Sequence, residues 1–230
     1  MKTENLNTSQ SQLQQIKLPK AMFDKIELTF QAFENRKTIK ETSEEKLSLQ
    51  VLSNLLWAAC GVNRRDDISL GGSGRTAASA SNSQEIDIYT ALEEGIYKYD
   101  PFENLLIPII AGDFRSLAIG QAQANFDPGV KAPVRLIYVV DVDRLVNTSG
   151  HKEPGLTDIE VQKSYYFVDT GLIAGNVYLF AASQGLAAWF HNCNKPALTE
   201  KLNLSPYQQV LFGQTVGYTV NQINITKVTS

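Results

Sequence analysis

The stretch VRLIYVVDV, from Val134 to Val142, decides the fold class of this 230-residue chain. Nearly every residue in it is β-branched or apolar, which is the pattern of a strand buried on both faces. Residues 210–216 form a second strand of this kind. Between them, residues 166–184 carry few charges and end at Gly185, so we predict a long buried helix there. Buried strands beside a buried helix indicate a sheet that is covered by helices.

Towards the N-terminus, the pattern adds a hairpin and two helices. Residues 86–92 and 96–99 are predicted strands around a turn at Glu94-Gly95. Apolar residues at helical spacing predict one helix that contains Met22, Ile26, Phe30 and Phe33. A second helix, which stops near Gly61, contains Leu49, Leu52, Leu55, Leu56 and Ala59. Residues 64–73 are predicted to form a loop, and Asp113 to cap a short helix that runs through Gln123.

These elements predict an α+β fold in which a mixed, mainly antiparallel sheet is flanked by helices. Residues 1–19 lack periodicity and are rich in Gln, Ser and Asn, so we expect a flexible N-terminal arm. Residues 20–230 follow as one domain, because no internal repeat or change of composition divides them.

Composition narrows the function classes. Hydrophobic residues make up 43% and charged residues 20%, while a net charge of -3 argues against a nucleic-acid partner. No apolar run reaches the roughly 20 residues that cross a bilayer, so no membrane partner is expected. Residues 1–20 contain no secretory signal, so we expect a cytoplasmic protein unless a leader was removed. Cys60 and Cys193 lack metal-ligand spacing, which predicts buried thiols and no metal site.

Three kinds of catalytic site fit the sequence poorly. Residues 71–76, GGSGRT, resemble a phosphate-binding loop, but Ser69 and Arg75 stand where that motif needs glycine and lysine. His191 and Cys193 would share one face of a strand, yet the flanking asparagines favour a turn. The acidic residues lie at turns or strand ends, where carboxylates are typically solvated. We therefore predict that no side chain is catalytic and that a cofactor carries the chemistry.

The loop RTAASASNSQE, from Arg75 to Glu85, is the best candidate for holding that cofactor. It concentrates small residues with hydroxyl and amide groups, and it leads into the strand that begins at Ile86. Small residues let a ligand approach the backbone while the polar groups bond to the ligand's edge. On these residues alone, a turn without a ligand fits equally well.

Four segments, taken in order, resemble the nitroreductase superfamily, in particular its bacterial thiazoline/oxazoline dehydrogenase-like branch. Residues 36–40, RKTIK, stand where the family's first helix ends in Arg-Arg-Ser-x-Arg. Residues 52–61, LSNLLWAACG, match the next helix, and residues 78–84, ASASNSQ, match a Pro-Ser-x-x-Asn-x-Gln loop. The helix around residues 169–176, the turn at 185–186 and the strand end at 216–218 complete a resemblance that covers residues 20–219.

The resemblance implies a nitroreductase-like fold with a flavin mononucleotide (FMN) at the interface of an intertwined homodimer. The basic segment would meet the flavin phosphate and ribityl chain through charge-assisted bonds, and the loop would lie beside the ring. Without the resemblance, the basic segment also fits a solvated helix end. The residues implied to bind the cofactor are Arg36, Lys37, Thr38, Lys40, Ser79, Asn82, Gln84, His191 and Asn192.

Several positions depart from the family pattern. Lys37 and Lys40 replace arginines and lose the bidentate fork, and Ala78 replaces a proline that would stiffen the loop. His191-Asn192 stands where relatives tend to have a basic residue followed by glycine, and Thr219 replaces a common proline. Because these changes surround the implied site, they leave open a weakened or lost flavin site.

The expected activity is that of an FMN-dependent oxidoreductase. It would pass hydride from NAD(P)H through the flavin to a small electron-poor acceptor of the nitroaromatic or quinone type. A dehydrogenase of peptide azolines that acts with a partner enzyme is a variant within the same class. Two alternatives lie outside it, namely a non-catalytic module with a degenerate flavin site that acts in binding or scaffolding, and a protein that stores flavin.

Overall fold

A seven-stranded antiparallel sheet forms the centre of the protein. The computed structural model describes residues 13–20, 27–67, 72–124, 132–148 and 154–220. In chain order the strands are β1 Ile16–Lys17, β2 Val62–Asp67, β3 Gly72–Arg75, β4 Ile86–Ala91, β5 Gly95–Asp100, β6 Leu105–Ala111, β7 Val134–Asp141, β8 Leu186–His191 and β9 Gln208–Tyr218. The main sheet has the order β1-β6-β5-β4-β7-β9-β8, and β2 and β3 form a separate hairpin.

Helices cover both faces of this sheet. They are α1 Glu27–Asn35, α2 Leu49–Cys60, α3 Gln121–Ala124, α4 Val142–Val146, α5 Ile159–Ser183 and α6 Lys195–Lys201, and a short 3-10 turn spans Ala80–Asn82. The helices α2 and α5 pack on one face and share a large apolar cluster with it. On the opposite face, α6 contributes Leu198 to a smaller cluster.

The strand β7 lies near the middle of the sheet and is buried on both faces, as predicted. It pairs with β4 from Ile86↔Val140 and with β9 from Val134↔Val216. Alternate side chains enter the two clusters, so Tyr138 faces α2 and α5 while Ile137 faces α6. Both of these side chains are fully buried.

Most of the predicted core elements are confirmed. Four predicted strands are present, with ends that differ from the predicted ones by at most two residues. They are the strands expected at residues 86–92, 96–99, 134–142 and 210–216. The helix α2 begins after Ser48, whose hydroxyl accepts a hydrogen bond from Val51 N at 3.2 Å. It ends before Gly61, whose amide donates to Trp57 O at 2.7 Å. The α+β class with an antiparallel sheet is therefore confirmed.

The loop predicted at residues 64–73 is wrong where the structure describes it, because β2 and β3 pair there as a hairpin. Asn63, Arg64 and Arg65 in β2 are all exposed, so this strand does not alternate between buried apolar and exposed polar residues. That alternation is the sequence signal of a strand, and its absence explains why the hairpin was not predicted. The strands β6 and β8 were not predicted. The strand β6 contains Pro108, which has no N–H to donate and therefore argues against a strand. In the structure, Pro108 lies beside a register shift in the pairing of β6 with β5.

Two further predictions need correction at their boundaries. The helix expected from Asp113 through Gln123 is reduced to α3, and Asp113 instead accepts a hydrogen bond from Arg115 N at 3.1 Å. The arm expected over residues 1–19 is bound to the sheet at its end, because β1 pairs with β6 and Leu18 is buried. Residues 1–12 lie outside the described residues, as do Met22 and Ile26 of the first predicted helix.

Helices α1 and α5 leave an apolar surface uncovered. Phe30 and Phe33 of α1 are 78% and 60% exposed, although their spacing predicts a buried face. On α5, Phe167, Val168 and Leu172 are also exposed, so this helix is buried on one side only. Among the described residues, no helix is long and apolar enough to cross a bilayer.

We expect Gly213→Ala to destabilise the fold. A Cβ built at Gly213 in β9 would lie 2.3 Å from the backbone oxygen of Ala118 and 2.8 Å from Cε1 of His191. Overpacking of this kind costs about 1–3 kcal/mol. The free energy of unfolding in urea measures the effect, and an unchanged value would show that residue 118 is not held against β9.

Candidate flavin site

The basic segment, residues 36–40, lies along the edge strand β8. After α1 ends, Ile39 N donates to Ala188 O at 3.1 Å, which fixes the segment beside the strand. Thr38 Oγ1 lies 3.3 Å from the hydroxyl of Tyr178 on α5, and the Arg36 guanidinium lies 5.8 Å from the Tyr178 ring centre. The sequence alone gave Tyr178 no role, since it is one apolar-spaced residue in a long helix.

The cations of this segment are directed to solvent. Arg36, Lys37 and Lys40 are all exposed. Lys40 Nζ lies 5.1 Å from the ring centre of Trp189, a cation–π distance. In the part of the chain that the structure describes, no carboxylate forms an ion pair with Arg36 or Lys37. An anion with several oxygens, such as a phosphate, fits this arrangement.

The loop at residues 79–84 has an unusual backbone. Ser81, Asn82 and Gln84 all have φ of 52°, in the left-handed region that residues other than glycine seldom adopt. Asn tolerates this region better than most side chains, but serine and glutamine do not share that advantage. Backbone held in sparsely populated regions is concentrated at ligand sites and switches.

The amide side chains of this loop are held by the hairpin. Asn82 Nδ2 and Gln84 Nε2 both donate to Ser73 O, at 3.0 and 2.7 Å, and Gln84 Nε2 also donates to Asn82 Oδ1 at 3.0 Å. Arg75 Nε donates to Gln84 Oε1 at 2.7 Å. Ser79 Oγ accepts a hydrogen bond from Gln84 N at 3.0 Å. The three predicted loop residues are therefore brought together around β3.

An open recess of about 370 Å³ lies beside this loop. Its lining is mostly polar and includes Ser73, Asn82, Ser83, Gln84, Asp143, Arg144 and Asn147. A larger recess of about 620 Å³ lies elsewhere, between the start of α2 and the β4–β5 turn. The smaller recess is the better candidate, because Asn82 and Gln84 of the predicted loop line it.

Two buried carboxyls lie under the loop, and sequence reasoning missed both as site residues. Glu85 is fully buried and Asp169 is 4% exposed. Burial and, to a smaller extent, the charge of Asp169 raise the pKa of Glu85 to about 7, against the opposing effect of its hydrogen bond from Ser83. Burial also raises the pKa of Asp169, against the opposing effect of its hydrogen bond from Ala80 N. The one sequence signal was a charged residue placed directly before a buried strand.

His191 and Asn192 have different environments. The His191 ring is 5% exposed, and its Nε2 and Nδ1 atoms each make a 2.8 Å hydrogen bond, to Thr215 Oγ1 and Asn192 O. Burial lowers the pKa of His191 to about 4, so the ring is neutral at pH 7. With both nitrogens bonded, the ring supports the fold in this arrangement. The Asn192 side chain is exposed.

The cysteines offer no nucleophile. Burial raises the pKa of both Cys60 and Cys193 to about 11, so neither is a thiolate at pH 7. The prediction of buried free thiols is confirmed. Within the described ranges, no cluster of three His, Cys, Asp or Glu side chains has the arrangement of a metal site.

The basic segment and the loop lie on opposite sides of α5. The loop contacts Asp169, through Ala80 N at 2.8 Å, and the segment contacts Tyr178. These two residues are nine positions apart, which is about 14 Å along a helix and half a turn around it. The basic segment suits a phosphate group and the loop suits a polar ring. Within one chain, however, the segment and the loop face in opposite directions.

Sequence and structure comparisons agree with this fold and these segments. Residues 33–218 match the sequence profile of the nitroreductase family. A nitroreductase-like protein of Methanocaldococcus jannaschii is 28% identical over 158 residues, which are 66% of this chain and 71% of that protein. A solved nitroreductase-like structure from Ralstonia eutropha is 32% identical and covers 90% of both chains, with a TM-score of 0.75.

A more distant structure shares the fold alone. The NADPH:FMN oxidoreductase of Vibrio harveyi, solved in complex with NAD+, is 17% identical and has a TM-score of 0.56. The match covers 84% of this chain and 69% of that one. The profile match spans most of this chain and the Ralstonia eutropha relative covers nearly all of it, so the chain belongs to the nitroreductase family.

Proposed function

We propose that the protein is an FMN-dependent oxidoreductase that passes hydride from NAD(P)H through the flavin to a small electron-poor acceptor, of the nitroaromatic or quinone type. The observation that carries the proposal is the pair of groups on opposite sides of α5. One is a set of exposed cations and the other is a strained loop of small and polar residues. The family membership supports the same cofactor.

The phosphate end of the flavin is assigned to the basic segment. Arg36 offers a planar fork of donors to phosphate oxygens, and Lys37 and Lys40 add positive charge. Thr38 is within hydrogen-bonding distance of Tyr178, so its hydroxyl is already oriented at this edge. Asn192 is exposed at the end of β8 and is available to the same group.

The ring end is assigned to the loop. Asn82 and Gln84 share Ser73 O as acceptor, so a ligand that offers a better acceptor can draw one amide away while the other stays bonded. Ser79 supports Gln84 through the backbone. When bound, the flavin supplies the hydride chemistry, and these residues orient its ring and tune its reduction.

A homodimer would bring the two groups together. Because one chain directs the segment and the loop to opposite sides of α5, a second copy is needed for both to meet one cofactor. The exposed Phe30, Phe33, Phe167, Val168 and Leu172 supply an apolar surface of the kind that dimers bury. The NAD+ complex of the distant Vibrio harveyi enzyme favours a nicotinamide donor. The cytoplasmic location expected from the sequence stays a prediction.

A non-catalytic module with a degenerate flavin site is the second candidate. It is favoured by the hydrogen bonds that already occupy Asn82 and Gln84, and by the burial of the His191 ring. In that case the same dimer surface would serve binding or scaffolding. The two candidates differ in whether the purified protein holds flavin.

The first prediction concerns the absorbance spectrum of the purified protein. After addition of excess FMN and removal of the unbound portion, we expect a flavin spectrum at close to one flavin per chain. Addition of NADH or NADPH without oxygen should then bleach it. A folded protein that retains no flavin would contradict the proposed function and favour the non-catalytic module, and retention without bleaching would indicate flavin storage.

The second prediction concerns the phosphate end. Arg36→Glu should weaken FMN binding by about 10- to 100-fold, because a charge-assisted bond is lost and repulsion is added. Riboflavin, which lacks the phosphate, should bind both proteins alike. Lys17→Glu is the charge-matched control, since β1 is at the opposite edge of the sheet from β8. Equal losses in both variants would show a general charge effect and remove the segment from the site.

The third prediction concerns the ring end. Asn82→Asp keeps the size of the side chain, and Asp also tolerates left-handed backbone. The substitution replaces the amide donor with a negative charge. We expect the flavin midpoint potential to fall by roughly 30 mV or more, the two-electron equivalent of a tenfold change. Asn82→Gly, which relaxes the backbone and removes the side chain, is the matched variant. An unchanged potential in both would place Asn82 away from the ring.

A further inference from the structure

We propose that Glu85 and Asp169 share one proton beneath the loop at residues 79–84, and that this proton holds the loop in the conformation that receives the flavin. The second half of this statement rests on the proposed function. The first half stands on the contacts of the two carboxyls alone. Glu85 and Asp169 are thus positioning residues that act through the loop.

The two carboxyls hold the loop at both of its ends. Asp169 Oδ2 accepts a hydrogen bond from Ala80 N at 2.8 Å, at the start of the 3-10 turn. Glu85 Oε2 accepts one from Ser83 Oγ at 2.7 Å, just after the turn. Ser83 N donates to Ala80 O at 2.9 Å, which closes the turn on itself. The turn is therefore fastened to α5 on one side and to β4 on the other.

One carboxyl of the pair needs a proton. Glu85 Oε1 is buried and receives no hydrogen bond from any group in the described part of the chain. A buried carboxylate oxygen without a donor is unfavourable, whereas a protonated carboxyl can donate to its neighbour. Asp169 and Glu85 both bond to the same turn, so the two carboxyls lie close together beneath it. A hydrogen bond between two carboxyls forms only when one of them carries the proton.

The charged groups around the pair are engaged elsewhere. Arg144 donates to the backbone oxygen of Glu85 at 3.1 Å and pairs with Asp87 at 2.8 Å and with Asp141 at 3.6 Å. Arg75 on β3 donates to Gln84. The thiol of Cys60 on α2 is neutral at pH 7 because burial raises its pKa to about 11. No cation therefore bonds to either carboxyl among the described residues.

The loop is the part that can change its conformation when the proton is lost. Asp169 is within α5, and Glu85 is fixed at the start of β4, where its backbone oxygen accepts from Asp141 N at 2.8 Å. Between them, Ser81, Asn82 and Gln84 are held in left-handed backbone. Two like charges in a dry site repel strongly. Ionisation of the pair would therefore release the turn and withdraw Asn82 from the ring.

The sign of the pH effect follows from the raised pKa of Glu85. The carboxyl is protonated in the closed state at a pH where it would be ionised in the open or unfolded state. The closed loop is therefore fully stabilised below the ordinary pKa of glutamate, and this stabilisation is lost as the pH rises through about 7. Flavin affinity should fall over the same range.

The first arm of the test needs no flavin. Amide nitrogen and proton shifts of residues 80–84 are followed by NMR in the flavin-free protein, from about pH 5.5 to about pH 8.5, the range in which the pair would titrate. We expect these amides to titrate together. Glu85→Gln carries a permanent donor of the same shape and should abolish the titration while keeping the low-pH shifts. Glu103→Gln, an exposed carboxyl, is the control and should leave it unchanged.

The second arm measures FMN affinity over the same range. The dissociation constant of the parent should rise by up to about tenfold per pH unit as the pH rises towards about 7 and should level off above it, whereas that of Glu85→Gln should not rise. The FMN phosphate titrates near pH 6 in both measurements, so the ratio of the two affinities isolates the protein group. Asp169→Asn is a second variant, in which the new amide keeps an acceptor for Ala80 N and donates to Glu85.

The outcomes separate this inference from the proposed function. Loop amides that do not titrate, or that titrate alike in Glu85→Gln and the parent, would overturn the shared proton. If Glu85→Gln does not fold, Asp169→Asn decides the question, because titration should then move to lower pH. Titrating amides in a protein that never binds FMN would support the shared proton and contradict the proposed function. Titrating amides with an affinity ratio that does not vary with pH would overturn the control of binding by the loop.

Discussion

Burial of β7 on both faces is the constraint on which the rest of the structure depends. Its side chains alternate between the cluster with α2 and α5 and the cluster with α6, so both layers of helices are needed to keep it from water. Its neighbours β4 and β9 are thereby fixed in register, and β4 in turn fixes the end of the loop at Glu85. The candidate site is built on the edges and connections of this frame.

The central sheet and its helices could be predicted from the sequence, because apolar periodicity indicates buried faces. Residues 134–142 and 49–60 were predicted for that reason. In β2 residues 63–66 are all exposed, and β6 contains Pro108, so the same signal was absent or misleading. For α1, Phe30 and Phe33 showed the right spacing but lie exposed in the single chain, because the pattern indicates an apolar face and does not identify what covers it.

For the candidate site, the sequence and the family resemblance located segments but could not supply their contacts. That Asn82 and Gln84 bond to Ser73 O depends on the unpredicted hairpin. The turn that Asp169 and Glu85 both hold brings together residues 84 positions apart, which no local pattern indicates. His191 was expected at the cofactor, whereas its ring is enclosed between Thr215 and the 192 backbone. Tyr178 could be recognised as a site residue only from the structure, in which α5 brings its hydroxyl to the basic segment and to Phe190 N.

The position of the basic segment has a consequence for solubility. The edge strand of an open sheet exposes unpaired backbone groups that can pair with another molecule and begin aggregation. Here the basic segment covers that edge where Ile39 N donates to Ala188 O. The residues that follow it are joined to the end of β9, through the bridge between Thr42 and Thr219 and the bond from Ser43 N to Tyr218 O. A proteolytic cut in this segment would therefore expose a templating edge, and any ligand that holds the segment in place would also protect the protein from aggregation.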